Sequence, residues 1–134
     1  MMPPTEEDLI NWGTEIGTLA FSEKIEKSQL EKLIASLESV KDPRLALYVT
    51  AAFALRQSQR EERGKALLTR KFAERVASIL QQIYEANGSK TEARKMLRFA
   101  KWIVEASTGR QIRPVKTLKE FIDSLSVEDV GARL

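Results

Sequence analysis

Hydrophobic positions recur at helical spacing along nearly the whole chain. Leu9, Trp12, Ile16 and Leu19 stand at i, i+3, i+7 and i+10, the stripe of one helix face. Thr5 ahead of them, with Asp8 three residues on, has the form of a capping box and predicts a first helix from about Thr5 to Phe21. Gly13 and Gly17 weaken that helix by about 1 kcal/mol each against alanine, and close packing of another helix is the compensation they permit.

Leu30, Leu33, Ile34, Leu37 and Val40 predict a second helix, opened by Ser28 with Glu31 and stopped before Asp42-Pro43. Asp42 as N-cap and Pro43 at the first helical position start a third. From Leu45 to Leu55 that helix is apolar almost all round, which reads as a central buried element. The polar run Arg56 to Arg63 should carry it out of the core, with Gly64 as the break. A fourth helix is expected from about Lys65 to Ala86, on the stripe Leu68, Phe72, Val76, Ile79, Leu80 and Ile83. Asn87-Gly88 stops it, Ser89 with Glu92 caps a fifth that runs to about Ser107, and Thr108-Gly109 ends that one. After a loop containing Pro114, Thr117 and Glu120 open a short sixth helix docked by Leu118, Phe121, Ile122 and Leu125, with fraying expected from Ser126.

No six-residue window alternates cleanly with β-branched residues, so no strand is expected. The fold class is all-α: a single-domain bundle of five to six helices over residues 1–134, with short loops and antiparallel neighbours. Residues 1–66 form an acidic and apolar part and residues 67–125 a basic part. The expected core is Leu9, Trp12, Ile16, Leu33, Leu37, Tyr48, Phe53, Leu68, Phe72, Val76, Ile79, Leu97, Ile103 and Val104.

Composition narrows the chemistry. The chain has no cysteine and no histidine, which removes disulfides, thiolate sites, the commonest metal ligand and the commonest general base near neutral pH. No phosphate-loop, dinucleotide or HExxH pattern is present. Glu6-Glu7-Asp8 reads as favourable charge at a helix N-terminus, and Glu61-Glu62 as ion-pair partners of Arg60 and Arg63. No metal, no other cofactor and no enzymatic activity are expected. No run approaches the roughly 18 apolar residues of a membrane span, and the N-terminal stretch lacks an apolar leader core, so a cytoplasmic protein with no membrane partner is expected.

Charge changes the picture more than composition does. Residues 1–55 carry 5 basic and 9 acidic side chains, residues 56–119 carry 16 and 6, and residues 120–134 carry 1 and 4. Such blocks suggest one basic surface for an anionic partner. Arg56, Arg60 and Arg63 stand at i, i+4 and i+7 on the polar end of the third helix, and Arg70, Lys71 and Arg75 on the exposed side of the fourth. On the fifth, rotation by about 100° per residue puts Met96, Leu97, Ala100, Ile103 and Val104 on the buried side. Arg94, Lys95, Arg98 and Lys101 then share the opposite side with Trp102, and Phe99 lies at its edge. Arg110, Arg113, Lys116 and Lys119 follow. Cations that neutralise phosphates beside an aromatic that stacks a base are what a single-strand binder needs. The bland reading is that Trp102 packs on another helix or a partner protein and that the cations are merely solvated. RNA is favoured over duplex DNA as a specific target because no short recognition helix follows a tight turn.

Leu68-Thr69-Arg70-Lys71-Phe72, then Ala100 to Arg110 with its Gly109-Arg110 ending, then Leu118-Lys119-Glu120-Phe121-Ile122, resemble the small helical subunit of CRISPR effector complexes. The type III-A version is nearest in pattern, over about residues 67–125. The N-terminal 66 residues are longer and more apolar than that pattern, which leaves a type III-B or type I-A small subunit open. The resemblance implies a non-catalytic, RNA-binding subunit of an antiviral ribonucleoprotein, stacked in several copies along the guide–target duplex beside other effector subunits. It carries Arg70, Lys71 and Arg110 as basic contacts. The acidic and basic blocks are compatible with head-to-tail self-association. The competing expectation is a protein-interaction or regulatory module whose basic face meets an acidic partner.

Overall fold

In the computed structural model, which describes residues 3–133 and their side chains as far as Leu125, six helices carry the chain. They are α1 (Glu6–Ser22), α2 (Lys27–Ser39), α3 (Leu45–Gln57), α4 (Arg70–Glu85), α5 (Lys90–Ser107) and α6 (Leu118–Arg133), with a two-stranded hairpin, β1 (Glu61–Glu62) and β2 (Lys65–Ala66), between α3 and α4. The first five helices close a ring: α1 lies on α5, α5 on α2, α2 on α3, α3 on α4, and α4 returns to α1. α6 docks on α1 through Phe121, which is buried. Inside the ring Ile16, Leu30, Leu33, Leu37, Leu47, Phe72, Val76, Ile79, Leu80, Ile83, Met96 and Leu97 are removed from solvent. Among the described residues no helix is long and apolar enough to cross a membrane.

α1 and α5 pack in close contact. A Cβ on Gly13 would sit 2.8 Å from the Met96 carbonyl oxygen, and one on Gly17 would sit 2.7 Å from the Ala100 oxygen and 2.6 Å from Ile103 Cβ. Backbone cannot step aside cheaply, so the two glycines are what let these helices touch. α1 starts with the expected box, Thr5 Oγ1 accepting from Asp8 N and Asp8 accepting from Thr5 N. It ends with Lys24 in the left-handed region (φ 58°), where Ile25 N donates to Ala20 O at 2.8 Å and the Ile25 side chain is buried. α4 ends the same way on Asn87 (φ 61°), with Gly88 N donating to Ile83 O at 2.8 Å. The turns before α3 and after α4 clasp each other. Lys90 N donates to Pro43 O and Lys90 Nζ to Val40 O, while Arg44 donates to Tyr84 O and Gly88 O.

Several features differ from the sequence reading. α2 begins at Lys27 after Glu26, with no side-chain cap, because Ile25 and Gln29 are both buried and draw the helix start back from Ser28. α3 is not buried all round: Leu45, Tyr48, Val49, Ala52 and Leu55 are exposed. Its inward face carries two polar residues instead, Thr50 donating to Ser36 Oγ and Gln57 Nε2 donating to Gln29 Oε1, each at 3.0 Å. Partners on α2 therefore engage the Thr50 hydroxyl and the Gln57 amide nitrogen, although the buried Gln57 Oε1 has no partner among the described residues, and Tyr48 leaves the core. Third, α3 stops at Gln57 and α4 starts only at Arg70, with Thr69 as its cap. Between them Arg63 (φ 57°) and Gly64 (φ 78°) make the two-residue turn of an antiparallel hairpin, pairing Glu62 with Lys65 and Glu61 with Ala66. Two successive positive-φ residues are the mark of a type I′ turn, so Gly64 is a hairpin residue rather than a helix break. Finally, Trp12, Phe53 and Val104 pack against the core only partly buried. α3 opens at Leu45 after Arg44, two residues later than the expected start at Pro43, and Asp42 Oδ1 accepts from Arg44 N and Leu45 N at 2.9 Å in the turn that leads into it. The fraying expected from Ser126 falls on residues whose side chains lie outside the described ones, although α6 itself runs on to Arg133.

Two outcomes follow from this packing. Gly17→Ala should lower stability by about 1–3 kcal/mol through overpacking, despite a helix-propensity gain of up to about 1 kcal/mol. An unchanged denaturation midpoint would mean that the helices can part without cost. The two backbone amides donating to Asp42 hold its carboxyl below the ordinary value of 3.8. A depressed carboxylate stabilises above its ordinary pKa and loses that contribution as pH falls through the folded value. Amide exchange at Arg44 and Leu45 should therefore become less protected as the pH drops below about 4, and Asp42→Ala should abolish that pH dependence.

Candidate nucleic-acid interface

On α5 the rotation argument holds for the buried side, where Ala93, Met96, Leu97, Ala100 and Ile103 face the core. The basic side is not free. Arg94 and Arg98 approach Glu38 at 3.3 and 3.8 Å, Lys101 reaches Glu31 at 3.3 Å, and Lys27 reaches Glu105 at 3.3 Å. Glu31 and Glu38 are seven residues apart on α2, so an acidic edge of α2 faces the basic edge of α5. Arg94 and Lys101 are thereby spent on helix pairing, which corrects the expectation that they face a nucleic acid. Lys95 and Arg98 remain exposed. Trp102 stands 67% exposed beside Phe99, ring centroids 6.0 Å apart, so most of its indole is open to solvent. Phe99 itself lies over Gly13, where a Cβ would come within 3.1 Å of the Phe99 Cβ.

A second group forms at the start of α4. Thr69 Oγ1 accepts from Phe72 N at 3.2 Å and donates to Glu23 Oε1 at 2.7 Å, which sets the first turn in place. That turn carries Arg70 and Lys71, both exposed, and no acid. Cations beside a helix N-terminus add to the positive end of the helix dipole, here offset in part by Glu23 on the cap and by Glu74, which also lines the cleft between α4 and the loop after α5. Arg70 is part-neutralised by Glu74 at 3.3 Å.

The segment after α5 supplies the facing wall. Val115 N donates to Thr18 Oγ1 at 3.1 Å, and Leu118 N to Asn11 Oδ1 at 3.0 Å, so two α1 side chains pin the loop. Between this loop and α4 lies an open cleft of about 750 Å³. Leu19, Pro114 and Val115 provide its apolar walls, and Arg70, Lys71 and Lys116 its cations. On its floor Arg75 holds Glu15 in a bidentate pair, at 2.5 and 2.9 Å, with the carboxylate side chain 13% exposed. The hydrogen bonds that Arg75 donates to Glu15 raise its guanidinium above the ordinary pKa. Arg75 therefore braces α4 against α1, a correction to its expected place on an exposed basic face.

The structure thus brings Arg70, Lys71 and Lys116 together and separates the rest. Arg56 ends α3, Arg60 precedes β1 and Arg63 occupies the hairpin turn, so these three form no helical stripe. Arg110 is half-buried just past α5, and Arg113 is exposed in the loop. The apolar walls were missed in the sequence. Thr18, buried on α1, gave no signal of them, because its hydroxyl can donate to Thr14 O within its own helix and accepts from Val115 N only in the fold. In comparisons with known proteins, no family model, no curated protein and no solved structure matches this chain.

The roles of the two arginine groups are separable. Arg75→Ala should destabilise the fold by about 1–3 kcal/mol by leaving Glu15 unpaired, a range kept low because the guanidinium is partly hydrated. Arg70→Ala should change stability by no more than about 0.5 kcal/mol. Equal thermal midpoints for the two variants would contradict the bracing role.

Proposed function

We propose that the protein is a non-catalytic subunit that binds single-stranded RNA within a cytoplasmic ribonucleoprotein, of the CRISPR small-subunit kind that the sequence resembles. The observation that carries this reading is the cleft. Arg70 and Lys71 at the N-terminus of α4 face Lys116 across apolar walls, so phosphates meet cations while sugar or base meets Leu19, Pro114 and Val115. Trp102, exposed beside Lys95 and Arg98, adds a stacking surface. A chain that lines one cleft with cations and keeps a bare indole is suited to a flexible strand rather than to a rigid duplex.

Fluorescence anisotropy with a labelled single-stranded RNA across a salt series tests it. Each phosphate contact contributes about 0.7 to the slope of log K against log salt for a single strand. Lys71→Ala/Lys116→Ala should weaken binding and reduce that slope by about 1.4. Trp102→Ala should cost about 1–3 kcal/mol of binding with little change in slope. Arg94→Ala, which removes a cation already paired with Glu38, should leave the slope nearly unchanged. No binding at low salt, or a slope indifferent to Lys71 and Lys116, would transfer the basic surface to an acidic protein partner.

A further inference from the structure

Apart from Tyr48, whose ring packs on Tyr84 of α4, the outward face of α3 is turned to solvent, and it lines no part of the cleft. Leu45, Tyr48, Val49, Ala52 and Leu55 stand at i, i+3, i+4, i+7 and i+10, a continuous stripe along one side of the helix. All five are exposed, and the four large ones are 40–52% exposed. Single exposed apolar residues are ordinary, whereas a contiguous row marks a surface kept for a partner. The row is also held rigid. The Tyr48 and Tyr84 rings lie 4.4 Å apart, the Arg44 guanidinium sits 4.1 Å over Tyr84, and Arg44 donates to Tyr84 O at 3.1 Å.

Charge selects the occupant. From Pro43 to Arg60 the chain carries Arg44, Arg56 and Arg60 and no acidic residue. Asp42, just ahead, is engaged by the backbone amides of Arg44 and Leu45. Arg56 and Arg60 are exposed and pair with no carboxylate among the described residues. A second copy docking α3 on α3 would bring arginine against arginine in either orientation, which disfavours self-pairing. One helix face is also well short of the roughly 800 Å² per partner of a stable globular interface. A single helix laid along the stripe fits both facts, with its anchors at i, i+3, i+4 and i+7.

We propose that the α3 face docks an amphipathic helix of another protein, apolar along one side and bordered by aspartate and glutamate. The acids meet Arg44 at one end of the stripe and Arg56 and Arg60 at the other. α3 lines no part of the RNA cleft, so this inference stands or falls separately from the RNA reading.

The probe is a labelled synthetic helix of about four turns with a leucine face bordered by glutamates, compared with its lysine-bordered counterpart. The full-length protein should bind the glutamate-bordered peptide at least about tenfold more tightly. Leu45→Ser/Leu55→Ser should lose that binding by at least the same factor, about tenfold, while the thermal midpoint and RNA affinity stay unchanged. Should that variant fail to fold, Arg56→Glu/Arg60→Glu, at exposed positions, should invert the preference between the two peptides. Equal binding of both peptides, binding that survives the α3 substitutions, or no binding at millimolar peptide would overturn the proposal. So would a dimer in sedimentation that dissolves on Leu45→Ser/Leu55→Ser, which would assign the face to a second copy.

Discussion

At Gly13 and Gly17 the α1 backbone comes close enough to α5 that a methyl group on either would press on a carbonyl oxygen. The placement of everything else depends on that crossing. It draws α5 against α1, which leaves the opposite edge of α5 for α2 and so determines which cations meet Glu31 and Glu38. It also delivers the end of α5 beside Thr18, where the following loop is caught and turned to face α4. The cleft is thus a by-product of two helices lying unusually near each other.

The basic residues divide by what lies opposite them rather than by how densely they occur in sequence. α5 is the most cationic helix, yet much of its charge is answered by α2. At the α4 start Arg70 is answered in part by Glu74, whereas Lys71 and Lys116 of the facing loop pair with no carboxylate among the described residues. Local density is therefore a poor guide to a polyanion site. Unanswered charge is a better one, because ion pairs between helices cancel the field that would draw a phosphate.

Much of the fold was legible in the sequence. The Thr5 and Ser89 boxes, the Asn87-Gly88 stop and the stripes of α1, α4 and α5 all appear where helical periodicity and capping chemistry put them. α3 failed because counting apolar residues assumes that polar ones face water, whereas Thr50 and Gln57 face Ser36 and Gln29 across the ring. The hairpin failed because strands of two residues have no period to detect, and Arg63 adopts a left-handed backbone that its side chain does not advertise. Of the site, Arg70 and Lys71 could be named from the chain alone. The role of Arg75 could not, since Glu15 lies sixty residues away in sequence. Such pairings are properties of the closed ring and exist only once it closes.

The order in which that ring can close is set by its seam. α3 and α4 are neighbours along the chain and can find each other soon after both are made, whereas α1 must wait for α5. α1 is made before α5, so its apolar stripe stays uncovered until the intervening helices and α5 itself have been synthesised. Contacts this distant in sequence slow closure, because the chain loses loop entropy before the glycine crossing returns any packing. α1 is thus a helix in need of shelter between its own synthesis and that of α5.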